Sequence, residues 1–372
     1  MNRTILLTAA TIIADSSAEN PADLALRKKF AADNPSPQGR RAVTECVFAF
    51  FRWHGWLTRT STITRQIEQA LELDAEFRDK PEKFTVAELA PRAVPGWARG
   101  HMDRPIEWLR ELQSHPKLWL RARPGKGAEL AAALGDCVAG PLPDSLQYTG
   151  QQDLFQTPQF KEGQFEIQDL SSQAVSLLCA PGEKETWWDA CAGEGGKLLH
   201  LSDLMRNTGL IWASDRAEWR LEQLKKRTKR AGVFNYRAKL WDGSEHLPTK
   251  TLFDGILIDA PCSGIGTWGR NPHARWTTTV DDVNELAQIQ LQLLINATAV
   301  LKVGGKLFYS VCTLSRRETT ELAEKFTNIF PQVRPLPFAM APLQTKPSPT
   351  LTIWPQQFHS NGMFIAAWKR IA

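Results

Sequence analysis

Two cysteines stand where strands should end. Cys262 lies in Asp259-Ala-Pro-Cys-Ser-Gly264 and Cys312 in Tyr309-Ser-Val-Cys-Thr313. Each follows an apolar run, Phe253 to Asp259 and Gly305 to Val311, that reads as a buried parallel strand. Ligands of an open α/β sheet bind beyond the carboxyl ends of its strands, so the two thiols should face one cleft. A free thiol titrates near about 8.5 and is mostly protonated at neutral pH unless its site assists it. Few reactions need a soft nucleophile beside an acidic group. Addition of a thiolate to carbon 6 of cytosine is one, because it makes carbon 5 nucleophilic enough to accept a methyl group. Asp259, on the same strand end as Cys262, is suited to hydrogen-bond N3 and the exocyclic amine of such a base. Either cysteine alone reads equally well as a small buried hydrophobe; the pair favours chemistry.

A second set of residues suits a cofactor. Trp188-Asp-Ala-Cys-Ala-Gly-Glu-Gly-Gly-Lys197 is a glycine-rich turn between a strand and a helix, where backbone amides approach a ligand closely. Aspartates close four successive strands: Asp189, Asp215, Asp242 and Asp259. Four carboxylates repel a pyrophosphate but suit a ribose diol (Asp215), an adenine amino group (Asp242) and a sulfonium cation. That pattern favours S-adenosylmethionine over a dinucleotide. The candidate cofactor residues are Asp189, Cys191, Ala192, Gly193, Glu194, Gly195, Gly196, Lys197, Asp215, Arg220, Asp242 and Asp259.

The elements that must position these residues begin after Ile167. Strands are expected at Thr186–Ala190, Leu210–Ser214, Asn235–Leu240, Gly255–Ile258, Lys306–Val311 and Gly362–Trp368. Helices are expected at Ser171–Cys179, Lys197–Met205, Glu218–Arg230, Val283–Leu301 and Ser315–Ile329. This alternation predicts an α/β fold with a doubly wound, mostly parallel sheet over residues 166–372. Residues 1–113 show helical periods broken by prolines and read as a helical domain. Residues 114–165, short and punctuated by Gly and Pro, read as a small α+β lobe.

Composition sets outer limits. The chain has 372 residues, 42% of them hydrophobic, and a net charge of +5, enough for a large core and compatible with a polyanionic partner. Six scattered cysteines with no Cys-x-x-Cys pair indicate reduced thiols, a cytoplasmic location and no metal site. The stretch Thr4–Ala14 can imitate a short secretory segment or form a first amphipathic helix. Nothing approaches the length of a membrane span, and a monomer is expected.

For nucleic-acid contact the segment after Cys262 stands out. Arg270 and Arg275 are candidates for phosphate contact, with His273 beside them, and Trp268 or Trp276 for stacking a displaced base. The basic run Lys225–Arg230 is denser, but it ends a helix away from the cleft and reads as a solvated face.

At these residues the chain resembles the RsmB-type (Fmu/Sun) family of S-adenosylmethionine-dependent RNA cytosine-5 methyltransferases. The matching segments run from Ile167-Gln-Asp-Leu-Ser-Ser-Gln173 through the 189–197 loop to Asp259-Ala-Pro-Cys-Ser-Gly264 and Tyr309-Ser-Val-Cys-Thr313. The resemblance implies a Rossmann-like class I methyltransferase domain, S-adenosylmethionine as cofactor and RNA as partner, ribosomal before transfer RNA. It implies that Cys312 is the nucleophile and that Cys262 helps release the covalent adduct. The family loop reads Cys-Ala-Ala-Pro-Gly-Gly-Lys, whereas this chain has Gly193-Glu194 in place of Ala-Pro. Two other readings stay open: an RNA-binding scaffold with impaired catalysis, and a DNA or transfer-RNA enzyme using Cys262 as nucleophile.

Overall fold

The computed structural model describes residues 2–372, apart from the side chains of residues 344 and 345. The chain divides into two compact units, Met1–Pro116 with Gly264–Asp282, and Lys117–Ser263 with Val283–Ala372.

The first unit is helical. Its principal helices are Arg3–Ala14, Ala22–Asp33, Pro37–Arg52 and Ile63–Asp79. The helix Pro37–Arg52 starts where Ser36 accepts a hydrogen bond from the Gly39 amide and proline occupies the first turn, two features that pre-organise a helix start. It buries Val43, Cys46, Val47, Phe50 and Phe51, the three- and four-residue spacing of one helix face. The apolar N-terminal stretch forms the helix Arg3–Ala14 and buries Leu6, Ala9, Ile12 and Ile13. Asp74 is buried at the centre and accepts from Arg52 at 2.8 Å and from the Trp53 indole at 3.0 Å.

The segment Gly264–Asp282 clusters with these helices and corrects the expected RNA face. Arg275 is fully buried, and its guanidinium donates to the carbonyls of Ala93 (3.1 Å), Leu112 (2.8 Å), Arg52 (3.3 Å) and Trp268 (3.3 Å). The Trp276 indole donates to the Phe51 carbonyl at 2.6 Å. His273 is buried with its ring 4.6 Å from that of Phe51, and burial lowers its pKa. Trp268 is fully buried and stacks on Trp108 at 6.3 Å. Arg275, His273, Trp276 and Trp268 therefore stabilise this unit, because main-chain carbonyls and aromatic packing have already taken the groups that RNA would need. Arg270 is half-buried.

The second unit carries two sheets. The small one, in order β2-β3-β1-β4, is built from β1 (Leu118–Ala122), β2 (Cys137–Ala139), β3 (Ser145–Tyr148) and β4 (Phe165–Ile167), all antiparallel. It has its own core around Leu120, Leu146, Leu154 and Phe165, yet it clusters with the larger sheet rather than apart from it.

The larger sheet uses β5 (Thr186–Asp189), β6 (Leu210–Asp215), β7 (Tyr236–Leu240), β8 (Phe253–Asp259), β9 (Leu301–Val311), β10 (Val333–Pro335) and β14 (Met363–Arg370), with β13 (Thr350–Ile353) paired to β14. Between them in sequence, β11 (Phe338–Met340) and β12 (Gln344–Ser348) make a separate hairpin. The order is β10-β14-β9-β8-β5-β6-β7, parallel from β9 to β7 and antiparallel at β14 and β10. The chain winds outward through β6 and β7, then restarts on the other side of β5 with β8. That reversal opens a crevice at the carboxyl ends of β5 and β8. Trp187, Trp188, Ile256, Leu257 and Ile258 are fully buried, as expected for central strands covered on both faces.

Candidate active site

The crevice is a cavity of about 480 Å³ whose lining includes Asp189, Cys191, Ala192, Gly193, Glu194, Gly196, Lys197, Asp215, Arg220, Asp242, Asp259, Cys262 and Cys312. The residues singled out for cofactor and thiol chemistry are thus gathered in one place. Gly195, within the loop, is not among the lining residues.

On one side the β5 end feeds the loop into the helix Gly196–Leu204. Gly195 takes φ +86°, and a Cβ there would meet Leu224 at 2.9 Å, so the tight turn requires glycine. Asp215 fastens the loop by accepting from the Gly193 amide (3.0 Å) and the Ala217 amide (2.9 Å). Arg220 lies 3.7 Å from the same carboxylate. Asp242 is exposed and accepts from the Ser244 amide at 3.0 Å. Asp189 is fully buried, and neither carboxylate oxygen has a hydrogen-bond partner. Burial, with Asp259 nearby, pushes its pKa up to about 8. An orphaned buried carboxyl lining the cavity, beside carboxylates at two neighbouring strand ends, fits a cationic ligand carrying donor groups.

On the other side, Lys197 reaches across from the loop helix to Asp259 at 2.6 Å. Burial opposes the ammonium charge, but Asp259 outweighs it and the pKa of Lys197 is raised. The second oxygen of Asp259 accepts from Ser310 at 2.7 Å. The Sγ atoms of Cys262 and Cys312 are 3.4 Å apart. The hydrogen bond from Cys262 lowers the pKa of Cys312, aided by Lys197 and opposed by burial and Asp259. Burial raises the pKa of Cys46, Cys137, Cys179 and Cys191 instead. Cys312 is thus set apart from these four thiols by a lowered pKa, whereas Cys191 serves as packing in the loop.

Sequence reasoning missed several residues here. Arg216, Trp241, Ile289 and Leu293 also line the cavity; Arg216 adjoins Asp215 and Trp241 adjoins Asp242, the two local cues. Glu318 is fully buried beneath the thiols and accepts from the Ser263 amide (2.8 Å), Gln290 (3.0 Å) and Thr313 (3.0 Å). The basic run is no RNA surface at Arg227 and Arg230, which pair with the buried Glu166 at 2.8 and 2.6 Å. Among the described residues, no cluster suited to a metal ion occurs and no helix is long and apolar enough to cross a membrane.

Residues 176–369 match the family model described as 16S rRNA methyltransferase RsmB/F. A probable ribosomal RNA small subunit methyltransferase B of Synechocystis sp. is 36% identical over 273 residues, covering 69% of this chain and 60% of that one. Its namesake in Bacillus subtilis is 35% identical over 218 residues, covering 57% and 49%. The chain therefore spans between about half and three fifths of the length of these relatives. The crystal structure of PH0851 superposes with a TM-score of 0.79 at 22% identity, covering 99% of this chain and 98% of that one, a likeness of fold.

Proposed function

The chain belongs to the RsmB/F family of 16S rRNA methyltransferases, and on that premise we propose that it methylates carbon 5 of a cytosine in ribosomal RNA through a covalent bond to Cys312. The observation that supports this reading most is the thiol pair 3.4 Å apart in the same cavity as the Lys197–Asp259 pair and the glycine-rich loop.

The Cys312 thiolate attacks carbon 6 of an unstacked cytosine, forming the S–C6 bond and shifting the ring electrons to carbon 5. Lys197 and Asp259 present a donor beside an acceptor, complementary to N3 and the exocyclic amine, and Asp259 keeps spare lone pairs for that contact. Charge gathered on N3 during the attack is stabilised by the Lys197 ammonium. When bound, S-adenosylmethionine supplies an electrophilic methyl group. Asp215 and Asp242 would hold its hydroxyl and amino groups; Glu194 would offset its positive charge, and Asp189, whose raised pKa leaves it mostly protonated at neutral pH, would ionise beside the bound cation. With the methyl on carbon 5, water takes the carbon-5 proton; the C5–H electron pair restores the ring double bond and the C6–S pair leaves on Cys312 as thiolate. Cys262, in contact with that sulfur, assists the departure.

The test is incubation of each cysteine variant with S-adenosylmethionine and unmethylated ribosomal RNA. Cys262→Ala should accumulate a denaturation-resistant protein–RNA adduct, and Cys312→Ala should not. The reverse pattern would make Cys262 the nucleophile. A wild type that forms neither adduct nor 5-methylcytosine would leave an RNA-binding scaffold as the better reading, and transfer of the methyl group to transfer RNA or DNA would change the substrate class.

A further inference from the structure

Resting on this thiol chemistry, we infer that Glu318 is a positioning residue that sets the separation of the two cysteines and thereby governs release of the covalent adduct. It touches neither sulfur. It binds the residue that follows each of them: one oxygen accepts from the Ser263 amide at 2.8 Å, the other from the Ser263 hydroxyl at 2.5 Å and the Thr313 hydroxyl at 3.0 Å. Ser263 and Thr313 also meet directly at 2.8 Å. Gln290 donates to Glu318 at 3.0 Å and to the Pro261 carbonyl at 2.8 Å, so Cys262 is gripped on both sides. Tyr309 donates to the main-chain carbonyl of Glu318 at 2.7 Å, anchoring the carboxyl to β9, the strand that delivers Cys312.

Two loops separated by fifty residues of chain are thus fastened through one side chain that is fully buried. Burial raises its pKa, a cost with no purpose in a surface turn. Nothing in the network requires negative charge, because the hydroxyls of Ser263 and Thr313 can accept as well as donate. A glutamine can keep the Ser263 amide and Gln290 contacts with its oxygen and offer its amide to the two hydroxyls. An alanine can do neither. Since Cys262 acts on a bond already made by Cys312, loosening the clamp should slow release more than attachment.

The experiment compares wild type, Glu318→Gln, Glu318→Ala and Thr313→Val with S-adenosylmethionine and unmethylated ribosomal RNA, measuring the ratio of trapped adduct to released methylated RNA. Thr313→Val cuts only the Cys312 side of the clamp and carries the test if Glu318→Ala does not fold. Glu318→Ala and Thr313→Val should raise the ratio about tenfold, the scale of a sub-ångström misplacement of a reacting group. Glu318→Gln should stay near wild type, and cofactor affinity should be unchanged throughout. An unaltered ratio in the folded variants, or a glutamine as damaging as alanine, overturns the clamp; the second result would point to a proton-transfer role. A wild type that yields neither adduct nor product overturns the proposed function itself, and the clamp with it.

Discussion

Lys197 Nζ lies 2.6 Å from Asp259 Oδ2, joining a residue of the glycine-rich loop to the strand end that precedes Cys262. Two elements of the doubly wound fold, far apart in sequence, share one charged unit. The two residues should therefore fail together. Lys197→Met and Asp259→Asn are each expected to slow single-turnover methyl transfer by about a hundredfold or more, the scale on which removing a preorganised electrostatic partner acts. The double variant should be little worse than the poorer single one, because contacting residues are not additive. Strict additivity of the two losses in rate measurements would show that they act separately.

The hydrogen bond from Cys262 is the largest influence lowering Cys312. Attack needs the thiolate, so the rate of adduct formation rises with pH until Cys312 is deprotonated. Cys262→Ala removes the donor and should move that rise to higher pH. The alkylation rate of Cys312 by iodoacetamide, followed by mass spectrometry without RNA, gives the same limb independently. A limb that stays put or moves to lower pH would contradict the assigned hydrogen bond.

Asp189 bears on stability. Its pKa is about 8 in the folded chain against an ordinary 3.8. Between these values the folded state holds a proton that the unfolded state has lost, so stability falls as pH rises through that window. Asp189→Asn cannot lose the proton. Its melting temperature relative to wild type should therefore increase steadily from pH 5 to pH 8, and a difference independent of pH would refute the shift.

Arg275 yields a prediction about RNA. Its replacement by methionine leaves buried carbonyls of Ala93 and Leu112 without donors, at about 1–3 kcal/mol each. Arg275→Met should lower the melting temperature by several degrees. The salt dependence of RNA binding by the folded fraction should keep its slope, because that slope counts phosphate contacts. A slope lowered by about one unit would return Arg275 to the RNA surface.

The alternation of strands and helices was legible because central strands read as continuous apolar runs and their ends carry turn residues. The glycine-rich loop and the thiols could be placed for the same reason, since topology alone sends strand ends to one crevice. Glu318 was not legible. It lies six residues beyond Cys312 in Arg316-Arg-Glu318, which reads as the charged first turn of the expected helix Ser315–Ile329, and only the tertiary approach of Ser263, Gln290 and Thr313 gives it partners. Arg275 misled for the opposite reason. A charge beside a thiol at a strand end suggests a phosphate, whereas here carbonyls from four separate helical segments solvate it. The strands from Val333 to Ile353 also went unread, being short and interrupted by prolines.

The path of the chain just after Ser263 limits how the thiol site can be inherited or rebuilt. The segment that leaves the thiol loop takes its Trp268, Arg275 and Trp276 packing from the N-terminal helices and rejoins the sheet-bearing unit only at Val283. A fragment starting at Lys117 would carry a stretch of aromatic and cationic side chains stripped of their partners, exposed and prone to aggregate. A transplantable version of this site therefore cannot begin at Lys117: the helical unit has to travel with the thiols.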